Sequence, residues 1–232
     1  MQFNHNSGTL YLGDAVELLR AFPSECFDCL VTDPPYRVIS GGMRIENEKN
    51  GYATSIVKGI ENGKIFEHND TPHEAWLPEV YRVLKPGTHA YIMTNALNLE
   101  RVLTTARLVG FHLSNLLIWK KNNVNANRYY MKNTEITLFF QKKPARTINN
   151  PGSAQVFSCD NIREKLHPTQ KPIELMRHYI ENSTQPGQVV LDPFAGSGTT
   201  ALAAAQAGRA WVSMESDPAW YLTAVGRLTG HA

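Results

Sequence analysis

Three cysteines in 232 residues are too few for a disulfide framework, which fits a chain that folds in a reducing cytosol. Cys26 and Cys29 have the spacing of a redox or zinc pair. No second ligand pair accompanies them, and they lead directly into an apolar segment, so a structural place is the better reading. No two histidines stand at ligand spacing, and no metal is assigned. No apolar run approaches the length of a membrane span, and no signal peptide is expected, so the protein is expected in the cytoplasm without a membrane partner. A net charge of +2 excludes a polycation, so affinity for an acidic polymer must come from a local basic face.

What is present is a globular composition, 42% hydrophobic, and a length that suits one large domain or one domain with a small insertion. The most informative stretch begins at Leu191 and ends at Thr200. Val189, Val190 and Leu191 read as a short buried strand with Asp192 at its carboxyl end. Gly196 and Gly198 allow a tight turn and close approach of a ligand to the backbone. Alanine-rich 199–207 then reads as a helix. Strand, glycine turn and helix N-terminus make a nucleotide-type site. Glu215 ends the next strand, 210–214, where a carboxylate suits the two hydroxyls of a ribose. A tight turn without a ligand is the plain alternative. Gly196-x-Gly198-x-x-Ala201 also fits the dinucleotide fingerprint formally. Against an NAD oxidoreductase, only a short tail follows Glu215, where a second βαβ half is required.

The second signal is Asp33-Pro34-Pro35-Tyr36. Residues 29–32 form an apolar strand before it, and two prolines cannot continue a ladder. Asp33 and Tyr36 are thereby left at a strand's carboxyl end, where open α/β sheets place ligands.

Together the two motifs resemble those of DNA amino-methyltransferases that use S-adenosylmethionine. Asp33 to Tyr36 resembles the catalytic box, and Asp192 to Thr199 the cofactor box. The catalytic box comes first, which resembles the permuted β group. The resemblance covers nearly the whole chain. It implies an α/β, Rossmann-like, seven-stranded sheet with helices on both faces, in a single domain over 1–232. It implies S-adenosylmethionine as cofactor and no metal. The cofactor contacts it implies are Asp14, Ala15, Asp33, Thr169, Gln170, Lys171, Asp192, Phe194, Ala195, Gly196, Ser197, Gly198, Thr199, Glu215 and Ser216. Asp14 also reads as an N-cap, and Thr169 to Lys171 belong to a His167-Pro168 box that opens a helix at Pro172.

Residues 37–70 carry five glycines and no sustained period, and are expected to form a mobile loop beside the active site. Residues 72–84 and 97–108 read as helices, and 90–93, 113–119 and 135–141 as strands. The basic, amide-rich stretch 120–134 is expected to be a loop that contacts DNA through Lys120, Lys121, Asn123, Asn125, Arg128, Tyr129 and Lys132, with Arg37 adding to it. An ordinary solvated hairpin loop is the alternative. Residues 144–166, where β-group enzymes carry a target-recognition segment, are short. A homodimer is therefore expected, since a lone subunit offers little surface to grip a duplex.

The expected chemistry is methyl transfer to an exocyclic amine. Asp33 and the Pro34 carbonyl accept its N–H groups and pull the nitrogen toward tetrahedral geometry, while Tyr36 stacks on a base flipped out of double-stranded DNA. No covalent enzyme–base intermediate is required. Adenine N6 is the expected target, and cytosine N4 its nearest rival. A catalytically silent DNA-binding protein of the same fold is a further alternative, disfavoured by the presence of both Asp33 and Tyr36. A bacterial, phage or mobile-element origin fits, with a restriction endonuclease partner left open.

Overall fold

The computed structural model describes residues 1–35, 44–47, 53–57, 71–125, 130–162, 166–167 and 169–230, with backbone alone at 44–47, 53–57 and 125. In chain order the elements are β1 (Gln2–His5), β2 (Gly8–Leu12), α1 (Ala15–Arg20), β3 (Phe27–Thr32), β4 (Arg44–Asn47), β5 (Ala53–Val57), α2 (His73–Val83), β6 (Leu84–Thr94), α3 (Leu99–Val109), β7 (His112–Asn125), β8 (Lys132–Gln141), β9 (Val156–Ser158), α4 (Ile173–Ser183), β10 (Val189–Asp192), α5 (Thr199–Gln206), β11 (Ala210–Glu215) and α6 (Pro218–Leu228). Two compact units result. Residues 35–71 form one, whose described part is the antiparallel hairpin β4–β5. The expected loop over 37–70 otherwise lies outside the described residues.

The larger unit is built on a sheet in the order β1-β2-β11-β10-β3-β6-β8-β7-β9. Strands β2, β11, β10, β3 and β6 run parallel, so their carboxyl ends share one edge. β8 is antiparallel to β6, and β7 antiparallel to β8. Nine strands form this sheet among the described residues, two more than expected. Strands β2 through β7 make a set of seven in sheet order, and the additions are one at each edge. β1 pairs back on β2, and the three-residue β9 docks parallel to β7.

The apolar strand runs serve two layers, because neighbouring residues point to opposite faces. Cys29, Val31, Tyr91, Met93, Phe139 and Val190 face α4, α5 and α6. Leu30, Ala90, Ile92, Leu138, Phe140 and Leu191 face α1, α2 and α3. The helix after β10 thus lies on one face, and the next helix after β3 on the other. That divergence opens a crevice between the two strand ends, the switch point at which open α/β sheets bind ligands.

The helices and strands of the sequence reading are present, with ends moved by a few residues in most cases. The exceptions are informative. β7 runs on to Asn125 and β8 begins at Lys132, so much of the expected loop over 120–134 is strand. Register shifts between Lys120 and Asn125 let the ladder absorb this polar sequence. The expected tail after Glu215 is α6, started by Asp217, whose carboxylate accepts from Ala219 N and Trp220 N, and by Pro218 in the first turn.

One glycine is fixed by close approach. A Cβ on Gly8 would lie 2.3 Å from both the Trp211 ring and the Trp211 carbonyl oxygen. The two residues pair across β2 and β11, and Trp211 also bonds Ser7 through its backbone and indole N–H groups, each at 3.0 Å. Gly8→Ala is expected to push these strands apart and cost about 1–3 kcal/mol, read as a lower urea midpoint at unchanged slope. An unchanged midpoint would show that the junction yields freely.

Candidate active site

β10 delivers Asp192 to the crevice floor, where it is 3% exposed. Its Oδ1 accepts from Thr32 Oγ1 of β3 at 2.7 Å and from Phe194 N at 3.1 Å. Burial pushes the carboxyl up to about 6, opposed by bonds from Thr32, Thr200 and Phe194, and assisted by the charge of Asp33. Asp192 is therefore a brace between the strand that leads into Asp33 and the glycine loop.

That loop turns through Gly196 and Gly198, with φ of 51° and 75°. Both values lie in the left-handed region that suits glycine. α6 closes against it. A Cβ on Gly198 would lie 3.1 Å from the Ala224 Cβ. Arg227, also on α6, donates to Ser197 Oγ at 2.9 Å, to Thr199 Oγ1 at 3.1 Å and to the Ser197 carbonyl. Glu215 ends β11 and holds the loop from the other side. Its Oε2 accepts from Gly196 N at 2.8 Å and its Oε1 from Asp217 N at 2.9 Å. Burial pushes the Glu215 carboxyl above its ordinary range.

His167 and the residues before α4 form the opposite wall. The imidazole packs edge-on against Trp220 at 4.1 Å between centroids. Burial, with Lys171 adding to it, lowers its pKa to about 4, so the ring is neutral at physiological pH. Its Nδ1 then accepts from Thr169 N at 3.3 Å. Lys171, 4% exposed, is ion-paired with Asp33 at the end of β3.

One cleft brings together Asp33, Thr169, Gln170, Lys171, Asp192, Phe194, Ala195, Gly196, Ser197 and Thr199 from the expected set, joined by His167, Met176 and Thr200. Gly198, Glu215 and Ser216 stand beside it at the adjoining loop and strand end. Asp14 and Ala15 follow β2, one strand further along. Asp14 caps α1 by accepting from Glu17 N at 3.0 Å, and Gly13 N bonds the Glu215 carbonyl at 2.8 Å. Carboxylates thus stand at or just beyond the carboxyl ends of four neighbouring strands: β2, β11, β10 and β3.

Pro34 is buried beside Asp33. Tyr36 and Arg37, and Arg128 and Tyr129 of the hairpin, lie outside the described residues. Asn125 is described in backbone only. Lys120, Asn123 and Lys132 are exposed on the β7–β8 hairpin. Asn123 Oδ1 accepts from Asn161 Nδ2 at 3.2 Å. Lys121 is largely covered, ion-paired with Glu135 and set 5.0 Å over the Trp119 ring. Among the described residues, no group of three or more His, Cys, Asp or Glu side chains is placed to hold a metal. Thr32, Glu135 and Arg227 were not singled out from sequence. Only Thr32 carried a signal, as a polar end to a buried strand.

The geometry defines an open α/β fold with a glycine loop and a carboxylate side by side in a cleft at the strand ends. The sequence model of the DNA methylase family with N6 and N4 members matches residues 27–225, and the chain belongs to that family. It is 29% identical to the Type II methyltransferase M2.DpnII of Streptococcus pneumoniae, over 97% of this chain and 91% of the relative. The figures are the same for the Type II methyltransferase M2.LlaDCHI of Lactococcus lactis subsp. cremoris. The solved complex of M1.HpyAVI with S-adenosylmethionine superposes with a TM-score of 0.70 at 25% identity, covering 95% of this chain and 99% of that one. The cytosine-N4-specific PvuII DNA methyltransferase shares the fold, with a TM-score of 0.72 at 21% identity over 97% of this chain and 87% of that one. The protein is an S-adenosylmethionine-dependent DNA methyltransferase.

The cleft fits that cofactor by its own chemistry. Gly196 N and Gly198 N are already held by Glu215 Oε2 and the Ala195 carbonyl, so what the strand ends offer a hydroxyl-bearing ligand is the remaining acceptor capacity of their carboxylates.

The raised pKa of Asp192 has a stability consequence. The folded state holds the Asp192 proton more tightly than the unfolded chain, so ionisation opposes folding above about pH 6. The cost fades as pH falls through 6 toward the ordinary carboxylate range. Asp192→Asn keeps the Oδ1 acceptor and removes the charge. It is expected to be more stable than the parent at pH 8, by about 1–3 kcal/mol, with the gain gone near pH 4. Parallel melting curves across that range check it, and a parent that melts higher at pH 8 would overturn it.

Proposed function

We propose that the protein methylates the N6 amine of adenine in double-stranded DNA. The observation that carries this reading is the Asp33 carboxylate at the end of β3, in the same cleft as the glycine loop. The bound cofactor supplies the methyl group as a sulfonium electrophile. The target nitrogen is a poor nucleophile because its lone pair is delocalised into the base ring. Asp33 accepts one of its N–H groups and the Pro34 carbonyl the other, which localises the lone pair and aims it. Catalysis is then positioning and electrostatics. Glu215 takes ribose hydroxyls, since a carboxylate already holding two backbone N–H groups retains acceptor sites. Asp14, one strand away, reaches the adenine end of the cofactor.

The target amine sits inside the duplex, so the base is flipped out, and Tyr36 is assigned to stack on it. Lys120, Asn123 and Lys132 on the β7–β8 hairpin meet the DNA. The Type II names of the relatives support a restriction-modification setting, and a place in the cytoplasm of a bacterium or a phage-infected cell follows from it. Cytosine N4 is the second reading, favoured by the shared fold of the PvuII enzyme.

Asp33→Ala is expected to keep its affinity for S-adenosylhomocysteine in calorimetry and to lose methyl transfer by about 10²–10³-fold. Mass spectrometry of digested DNA methylated by the parent is expected to find N6-methyladenine. N4-methylcytosine would hand the function to the second reading, and near-normal turnover by the Asp33 variant would overturn the mechanism.

Two copies are proposed to act together on a duplex, because the segment between β8 and α4 offers little recognition surface. Light scattering is expected to give the mass of a dimer, free or on DNA. A monomer under both conditions would refute it.

A further inference from the structure

Charged side chains of alternating sign stand in line behind the end of β3. Lys171 Nζ is paired with Asp33 Oδ2 and lies 3.3 Å from Glu135 Oε2, and Glu135 Oε1 is paired with Lys121. They come from four places: β3, the turn before α4, the start of β8, and β7. The Lys171 side chain is 5% exposed, and its Nζ also donates to the Thr169 carbonyl at 3.2 Å. A covered ammonium costs several kcal/mol unless it is well paired, so the two carboxylates together account for its place. Burial works to raise the Glu135 carboxyl, but Lys171 and Lys121 hold it below the usual range. Glu135 therefore stays ionised and keeps its grip on both lysines.

We propose that Lys171, held in place by Glu135, is the positioning residue for Asp33, fixing one carboxylate oxygen so that the target amine meets the acceptor in a single orientation. This rests on Asp33 being the acceptor for that amine. A carboxylate has about four acceptor sites, so a lysine on Oδ2 does not exhaust it. Without the lysine, Asp33 would face the neighbouring Asp192 with that positive charge gone. Without Glu135, the ammonium would be drawn onto Asp33 alone and would compete with the incoming amine. Among the described residues, further titratable neighbours are His167, beside Lys171, and Tyr179 of α4, beside Glu135. His167 is neutral in the working range, and burial raises Tyr179 to about 12, so neither titrates there.

The test is single-turnover methylation of duplex DNA across pH by the full chain and by Lys171→Gln, Lys171→Arg and Glu135→Gln, with S-adenosylhomocysteine affinity measured on each. Lys171→Gln is expected to lower the rate by roughly 10²-fold and to move its acid limb to higher pH, because a cation that favoured the ionised acceptor is gone. Lys171→Arg is expected to recover most of the rate. Glu135→Gln is expected to lower the rate without moving the acid limb upward. Cofactor-product affinity is expected to hold in all three. Parent-like rate and acid limb in Lys171→Gln overturn the inference, as does a loss of cofactor-product affinity that parallels the loss of rate. Should Lys171→Gln fail to fold, Glu135→Gln decides: a reduced rate with intact affinity supports the inference, and a parent-like rate overturns it. An active Asp33→Ala enzyme would sink the catalytic reading itself. An inactive one beside a fully active Lys171→Gln would sink this inference alone.

Discussion

Thr32 and Asp192 are 160 residues apart in the chain, and the 2.7 Å hydrogen bond between them fixes the site. It joins the last residue of β3 to the last residue of β10 under both motifs. On one side of it the backbone passes straight to Asp33. On the other, Phe194 N shares the same carboxylate oxygen, so the glycine loop starts from a set position. A buried polar network of this kind holds its members to one arrangement when each is satisfied. The spacing between Asp33 and the glycine loop is therefore set by strand pairing, not by flexible side chains.

The cofactor loop is clamped from several elements. Glu215 binds it from β11, Arg227 from α6, and Ala224 presses on position 198, where a Cβ would lie 3.1 Å from its own. The residues that hold this loop are thereby the same ones that tie β11 and α6 to it. Glu215 illustrates this: its carbonyl accepts from Gly13 N, its carboxylate from Gly196 N and Asp217 N, and its side chain still stands at the strand end assigned to ribose.

The parts of this arrangement that depend on local chemistry were legible in the sequence. An apolar run ending in Asp192 and followed by two glycines dictates strand, turn and helix within ten residues. Asp33-Pro34-Pro35 stops a strand because proline lacks the donor a ladder needs. Asp217-Pro218 is an equally local signal, an N-cap followed by a first-turn proline, and it starts α6. What composition could not show was pairing across the chain. Lys142 has the residue type of a solvated surface, yet it is buried and donates to the carbonyls of Tyr81 and Leu84. Lys171 reads as a cofactor wall until the fold sets it against Asp33, 138 residues away. β9 exists because the edge of β7 is there to receive it. Its three residues carry no period of their own.

The strand order also bears on how the chain is made. β2 and β3 are among the first elements to be synthesised, yet the space between them in the sheet belongs to β10 and β11, which come late. Until the ribosome has passed residue 215, the inner edges of β2 and β3 carry backbone groups with no strand to pair them. Such edges are templates for association with other chains. β10 and β11 pair with strands made more than 150 residues earlier, and contacts so distant in sequence form slowly. A nascent chain that has not reached residue 215 lacks the strands that carry the glycine loop, so the pocket and the complete sheet appear together.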